Sequence, residues 1–420
     1  MKDSRERVRR ALRHEAGPVP IDFGSTAITG MHVSCVAALR DHYGLERRLV
    51  KVCEPYQMLG EIEEDLAGVL GIDVAGVGSR NTMFGFPNEN WKIARMPWGQ
   101  EVLVSEHFRT TPDGRGGLFI HPQGDLSAPP SGHMPARSFF FDTVIRQAPI
   151  DDNHLNPEDN LEEFAPLPEA EIERYARTVN EKAATGRAVI IGLSGTGLGD
   201  IALVPGPFLK RPRGIRDVQE WYLSLAARRD YVAAIFERQT EIALENLRRV
   251  AAAVDRDAID AIILCGTDFG MQRGTFCSVD DFHSLFLPFY RRMTDWIHAH
   301  TPWKIMKHSC GAVASLIPSL LDAGFDILNP VQCSAEGMAP EALKKQFGGR
   351  IVFWGGGVDT QRTLPFGTPQ QVREEVLRRC EVFSENGGFI FNSIHNVQAR
   401  TPVENIAAMI EAVREFNGER

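Results

Sequence analysis

Cysteine is scarce in this chain, with 7 residues in 420 at irregular spacing. An odd, scattered set of this kind excludes the disulfide framework of a small secreted domain and leaves free thiols, packed side chains or metal ligands as roles. No apolar run approaches the roughly 18 residues that a membrane helix needs. The opening MKDSRERVRRALRHE holds no apolar stretch long enough for a secretory signal. A cytoplasmic protein with no membrane partner is expected. A basic tail and blocks of like charge are also missing: 46 Lys plus Arg against 55 Asp plus Glu leave a net charge of -9 spread along the chain. That distribution argues against nucleic acid as a partner. No low-complexity tract or long internal repeat is present.

What the chain does contain is a series of short apolar, β-rich runs, each followed by a helical pattern. The runs cover 19–23, 72–77, 188–192, 261–264, 304–307, 326–329, 351–354 and 388–391. Alternation of this sort marks parallel βαβ units. Helix starts are signalled where a hydroxyl precedes Pro and a side chain three positions on reaches back, as in Thr368-Pro369-Gln370-Gln371 and Thr401-Pro402-Val403-Glu404, and more weakly at Ser278 with Asp281. The helix after Thr401 gathers Ile406, Met409, Ile410, Val413 and Phe416 on one face, and the helix after Thr368 gathers Val372, Val376, Cys380 and Phe383. Eight strands alternating with one-faced helices most simply close into a TIM-type (β/α)8 barrel, because closure removes both sheet edges; an open doubly wound sheet is the alternative. Residues 81–168, dense in turn residues, break the repeat and are expected to form a β-rich insertion between strands two and three of a single domain spanning 1–420.

In such a barrel the residues just past each strand's C-terminal end converge on one cavity. His308 and Cys310 follow the fifth strand, and a spacing of two in an extended turn points both side chains the same way. Imidazole nitrogen with thiolate sulfur suits Zn²⁺, although a packed Cys beside a hydrogen-bonded His is the plainer alternative. A third donor would come from Cys265, Cys333 or His395 at other strand ends. Cys380 lies on an apolar helix face, and Cys35, Cys53 and Cys277 stand beside apolar helical residues with no His nearby, so these four read as packing. Polar residues that a pure core would not want cluster at the same rim: Asp268 and Gln272, Asn329 and Gln332, Asp359 and Gln361. They form either a satisfied network or a ligand site. The stretch from Gly192 to Gly199 and the Gly355-Gly356-Gly357 triplet lack the partners of a phosphate loop and are assigned to no nucleotide.

Several segments together resemble the uroporphyrinogen decarboxylase superfamily. They are Arg5-Glu6-Arg7-Val8 through Val19-Pro20-Ile21-Asp22-Phe23-Gly24, Asp268 to Arg273, His308-Ser309-Cys310-Gly311, and Asn392-Ser393-Ile394-His395-Asn396 through Thr401 to Ile406. The resemblance implies a single TIM-type barrel. Decarboxylases of this group carry, after the first strand, arginines that hold the substrate's carboxylates; here Phe23 to Met31 contains no Arg. The corrinoid-linked methyltransferases use a His-x-Cys after the fifth strand and a late Cys to hold zinc. His308 and Cys310 match the first part, and His395 stands where the late Cys would be.

The resemblance therefore implies a zinc-dependent methyltransferase with His308, Cys310 and His395 as ligands, acting between a small methyl ether, methylamine or thiol and a corrinoid. The chain has no Asp-x-His-x-x-Gly cobalamin loop, so the corrinoid would sit on a partner protein. Two imidazoles and one thiolate leave a charge of +1 on Zn²⁺, which favours activation of a methyl donor. Asp268 and His395 are the expected catalytic groups, with Asp268 handling a proton or orienting a ligand His; Gln272, Asn329, Gln332 and Asp359 are the expected substrate contacts. A metal-free decarboxylase acting on a smaller acid and a non-catalytic binding barrel are the alternatives. A homodimer is a fair expectation for this barrel type.

Overall fold

The apolar runs have no wet face, so they need cover on both sides, and a parallel sheet wrapped by helices around a packed interior supplies it. The computed structural model describes residues 4–419, Cys265 by its backbone only. Seven strands, Val74–Val77, Ala188–Gly192, Ala261–Cys265, Lys304–His308, Ile327–Asn329, Val352–Trp354 and Phe389–Ile390, form one parallel sheet in which each pairs with its neighbours in sequence. The expected first strand is reduced to one parallel bridge, Ile21 to Phe391. Even so, its backbone joins the two edges. Asp22 N–H donates to the Phe391 carbonyl at 2.9 Å and Phe391 N–H to the Pro20 carbonyl at 2.8 Å, while Asp73 N–H donates to the Ile21 carbonyl at 2.8 Å. Pro20 has no N–H and the Ile21 N–H turns to the Asp73 carboxylate at 3.0 Å, so a longer ladder does not form. The result is a TIM-type barrel closed by a short first element.

Alternation along the strands sorts side chains into two layers. Val74, Ala188, Ile190, Ala261, Met306, Ile327, Val352, Trp354 and Ile390 form the inner cluster, together with Val8, Ala11 and Leu12 of helix Ser4–Leu12. Val189, Ile191 and their equivalents pack outward against the helices. The amino-terminal helix thus covers the floor of the barrel, and Arg5 and Arg9 clamp it to the buried Asp260 at 3.0 and 2.6 Å. Helix Pro369–Ser384 begins with the expected capping box at Thr368 and Gln371. Helix Val403–Phe416 does not: the Thr401 hydroxyl donates to the Gln398 carbonyl at 2.8 Å, and no side chain caps the helix start. Among the described residues no helix is long and apolar enough to cross a membrane.

Between the second and third strands the chain builds the expected β-rich insertion. A hairpin of Trp91–Arg95 with Glu101–Ser105 is followed by a four-stranded antiparallel sheet of Thr110–Pro112, Leu118–Ile120, Gly132–Met134 and Asp142–Thr143. Its Phe84, Phe86, Phe108 and Phe141 belong to the same continuous core as the outer layer of the barrel. A buried histidine helps hold the two together: His32 meets the Phe139 carbonyl through Nε2 at 3.0 Å, accepts from Ser34 N–H through Nδ1, and packs against Trp98 and Phe139.

Burial lowers the His32 pKa from its ordinary 6.5 to about 4. Below pH 6.5 the unfolded chain takes up a proton that the folded ring refuses, so stability falls as pH drops and levels off near pH 4. His32 accounts for up to about 3 kcal/mol of that loss. Urea midpoints from pH 7 to 4 should fall more steeply for the wild type than for His32→Asn; parallel curves would refute the assignment.

Candidate active site

The loops after the fourth, fifth, sixth and eighth strands meet at the C-terminal mouth of the barrel. There His308, Cys310 and His395 come together, their donor atoms all within 4.8 Å of one another; among the described residues they are the group able to hold a metal ion. His308 is fixed from behind. Its Nδ1 lies 2.7 Å from Asn329 Oδ1, which can only accept, so Nδ1 carries the proton and the Nε2 lone pair faces the cluster. Nε2 lies 3.6 Å from the Cys310 sulfur. That matches the edge of a tetrahedron with zinc–nitrogen and zinc–sulfur bonds of ordinary length, about 3.6 Å. The two imidazole rings meet edge to face with centroids 5.8 Å apart.

His395 is not yet arranged in the same way. Its Nδ1 accepts from the Asn396 N–H at 2.8 Å, which in a neutral ring leaves the proton on Nε2. Binding a metal through Nε2 requires that proton to move to Nδ1 and this hydrogen bond to break. Both rings are held neutral: burial lowers His308, and burial together with the neighbouring His308 brings His395 to about 4. Burial, reinforced by the Asp268 charge, pushes the Cys310 thiol well above its ordinary value. Two neutral imidazoles and a thiol that needs a nearby positive charge to ionise are a donor set that fits Zn²⁺.

The surrounding residues shape this turn. Asp268 Oδ1 accepts from the Cys310 N–H at 2.7 Å, Ser309 Oγ accepts from the Phe269 N–H at 2.8 Å, and Gln332 Oε1 accepts from the Gly311 N–H at 2.8 Å. Gly311, at φ +87°, lies against the backbone of Gly270 and Met271 so closely that no side chain fits, which is why this position is glycine. Lys307 is buried beneath, donating to the carbonyls of Thr267 and His308 with its ammonium over the Phe269 ring.

The residues expected at the rim divide by what they do. Asp268 sits beside Cys310. Gln272 and Gln332 touch each other at 3.2 Å and hold the loops, Gln272 donating to the Ser334 carbonyl. Asn329 spends both ends of its amide on His308 and, at 2.9 Å, on the Trp354 carbonyl. One Asp359 oxygen caps its own loop, accepting from the N–H groups of Gln361 and Arg362. The Cys333 sulfur faces the carbonyls of Val331 and Gly356, apart from the three donors. The Cys265 side chain lies outside the described residues.

Two groups at this mouth were not singled out in the sequence. Asp200 ends the glycine-rich loop after the third strand, and burial, with Asp268 nearby, raises its carboxyl to about 7. The Tyr222 hydroxyl is buried without a hydrogen-bond partner, its ring stacked on Phe276. Asp200 also lines a cavity of about 890 Å³ that runs under the insertion past Phe164, Leu203, Phe208 and Trp221.

The family model of uroporphyrinogen decarboxylase matches residues 212–416. The matched span, the carboxy-terminal part of the chain, is similar to that family. The matched span includes His308, Cys310 and His395, whereas Asp200 and the insertion precede it. Among solved structures the chain is similar to a methyltransferase from Methanosarcina mazei, with 14% identity over 98% of each chain and a TM-score of 0.53, a likeness of fold. Weaker likenesses, to a D-psicose 3-epimerase (12% identity, 59% of this chain and 82% of the other, TM-score 0.31) and to endo-glycoceramidase II from Rhodococcus sp. (16%, 56% and 62%, TM-score 0.34), carry no argument. No curated protein matches the chain.

Removing the Asn329 amide strands two buried groups, the His308 Nδ1–H and the Trp354 carbonyl. Asn329→Ala is expected to cost about 2–3 kcal/mol in denaturant unfolding with an unchanged slope. A loss below about 0.5 kcal/mol would mean that the ring is held by something else.

Proposed function

We propose that the protein is a zinc-dependent methyltransferase, in which His308, Cys310 and His395 hold the metal and leave one position for a substrate heteroatom. The observation that carries this reading is the convergence of one sulfur and two imidazoles, from turns after the fifth and eighth strands, within 4.8 Å. Zinc held there would act as a Lewis acid on an ether oxygen, amine nitrogen or thiol sulfur. The chain's own residues do the rest. Asn329 keeps His308 in the tautomer that offers Nε2, and Asp268 holds the Cys310 turn through its backbone N–H.

The methyl group passes between the small compound and a corrinoid carried by a separate protein docked on the barrel mouth. The family-model match over residues 212–416 and the fold shared with a methyltransferase support this branch. So does the absence of Arg between Phe23 and Met31, which leaves a polycarboxylate substrate without the cations it would need there.

Protein purified without added zinc is expected to hold about one equivalent per chain by elemental analysis. Cys310→Ala and His395→Ala should each lower zinc affinity at least tenfold while leaving the circular dichroism spectrum unchanged. Wild-type protein that holds no zinc and takes up none would overturn the reading. Zinc retained undiminished in His395→Ala would remove that residue from the ligand set.

A further inference from the structure

Asp200 lines the 890 Å³ cavity and also belongs to the electrostatic surroundings of the donor cluster. It lines the inner part of the cavity beside Gly197, Gly199 and Trp221. It is also within electrostatic reach of Asp268 and of the Cys310 sulfur. Its position is specific: a Cβ on Gly266, at the end of the fourth strand, would come 2.5 Å from Asp200 Oδ2, so the bare backbone there makes room for the carboxyl. One oxygen, Oδ1, accepts from the Ala202 N–H at 3.0 Å; among the described residues no hydrogen bond reaches Oδ2. The unpartnered Tyr222 hydroxyl lies in the field of the same two carboxyls. A buried hydroxyl and a carboxyl oxygen left open beside a cavity are what a protein keeps for a polar ligand atom.

We propose that the cavity under the insertion receives the methyl-bearing compound, and that Asp200 at its inner end exchanges the proton that the compound's heteroatom gains on losing a methyl or loses on accepting one. The inference rests on the methyltransferase reading and adds to it the residue that balances the proton. In the demethylating direction the carbon–heteroatom bond breaks and the methyl passes to the reduced corrinoid of the partner, which supplies the electron pair for the new bond. The old bonding pair stays on the heteroatom, and the heteroatom takes the Asp200 proton; water in the cavity restores it. In the methylating direction the S–H proton of a thiol goes to the Asp200 carboxylate as sulfur forms its bond to the methyl, and the methyl–cobalt bond breaks with its electron pair left on the partner's corrinoid. Among the described residues Asp268, Lys307, Cys310 and the Tyr222 hydroxyl are the other titratable groups in electrostatic contact with Asp200. Of this set Asp200 is the one that lines the cavity.

The test uses zinc-loaded wild type, Asp200→Asn and Gly266→Ala, with ethanethiol as the probe. Calorimetry at pH 8 in phosphate and in Tris, which differ in ionisation enthalpy, counts protons released per thiol bound. Wild type should release clearly less than one, because Asp200 takes the proton, and Asp200→Asn about one. Infrared difference spectra should show a carboxylic C=O band growing on thiol binding in wild type and absent in Asp200→Asn. Gly266→Ala, which displaces the carboxyl without removing it, should resemble Asp200→Asn. Turnover of ethanethiol with a methyl-corrinoid should fall on the order of 10²-fold in Asp200→Asn. Equal proton counts and identical infrared spectra, with zinc in place and thiol bound in both proteins, would overturn the role of Asp200 alone. A wild type that binds no zinc, or zinc but no thiol, would overturn it together with the methyltransferase reading.

Discussion

Closure of the barrel is the constraint on which the site depends. His308 follows the fifth strand and His395 the eighth, 87 positions apart in the chain by their residue numbers. In an open sheet those ends would lie three strand spacings apart, about 14 Å. The few hydrogen bonds made by Pro20, Ile21 and Asp22 to Asp73 and Phe391 bend the sheet back on itself, and only then do the two rings meet at 5.8 Å. The barrel floor serves the same end, since helix Ser4–Leu12, clamped to Asp260, fills the space that an unplugged sheet would collapse into.

Around the donors, polar groups are buried in numbers that an apolar core would not tolerate, and most are answered by a particular neighbour, the Tyr222 hydroxyl being an exception. Asn329 is the clearest case: its amide has two ends, and the barrel offers one acceptor and one donor at the right distances. Lys307 illustrates the charged version. Its ammonium is kept beneath the turn by carbonyl oxygens and aromatic faces, where it offsets the carboxyls of Asp200 and Asp268. The neutral imidazoles and the reluctant thiol follow from the same burial. A site of this kind holds its donors in position but leaves the thiol to ionise only when a cation arrives.

Most of the barrel could be read from periodicity, because seven of the eight apolar runs are strands within two residues of where the pattern placed them. The exception, 19–23, is apolar enough but contains Pro20, and the cost of a missing donor appears only when the neighbours are known. Thr401 failed as a cap for a similar reason: a hydroxyl next to Pro favours a helix start, but the carbonyl three residues earlier, that of Gln398, competes for it. At the site, spacing was informative for His308 and Cys310 because both lie on one turn. His395 was one of three candidate donors at other strand ends, and the family resemblance singled it out. Asn329 and Asp359 were correctly placed at the rim, but no pattern distinguishes a residue that touches substrate from one that braces a histidine or caps a loop. Asp200 was hidden by its setting, since the glycines before it suggested a phosphate loop and drew attention from the acid at its end.

The two halves of the chain contribute differently to this mouth, and the difference has a physical basis. The family-matched span, 212–416, carries the fourth to eighth strands with the donors, the bracing amide and the buried lysine, all of them coupled through short hydrogen bonds. A change there disturbs several partners at once. The preceding half supplies Asp200, the cavity wall and the insertion, which grips the loop after the third strand from outside: Arg146 donates to the carbonyls of Gly206 and Leu209, Gln123 to that of Phe208, and Lys210 pairs with Asp125. These contacts are mostly to backbone oxygens, which other side chains at 208 or 209 would also present. Most of the cavity wall and the donor cluster are therefore built by different parts of the polypeptide, so that the wall can vary at 208 and 209 without moving the donors.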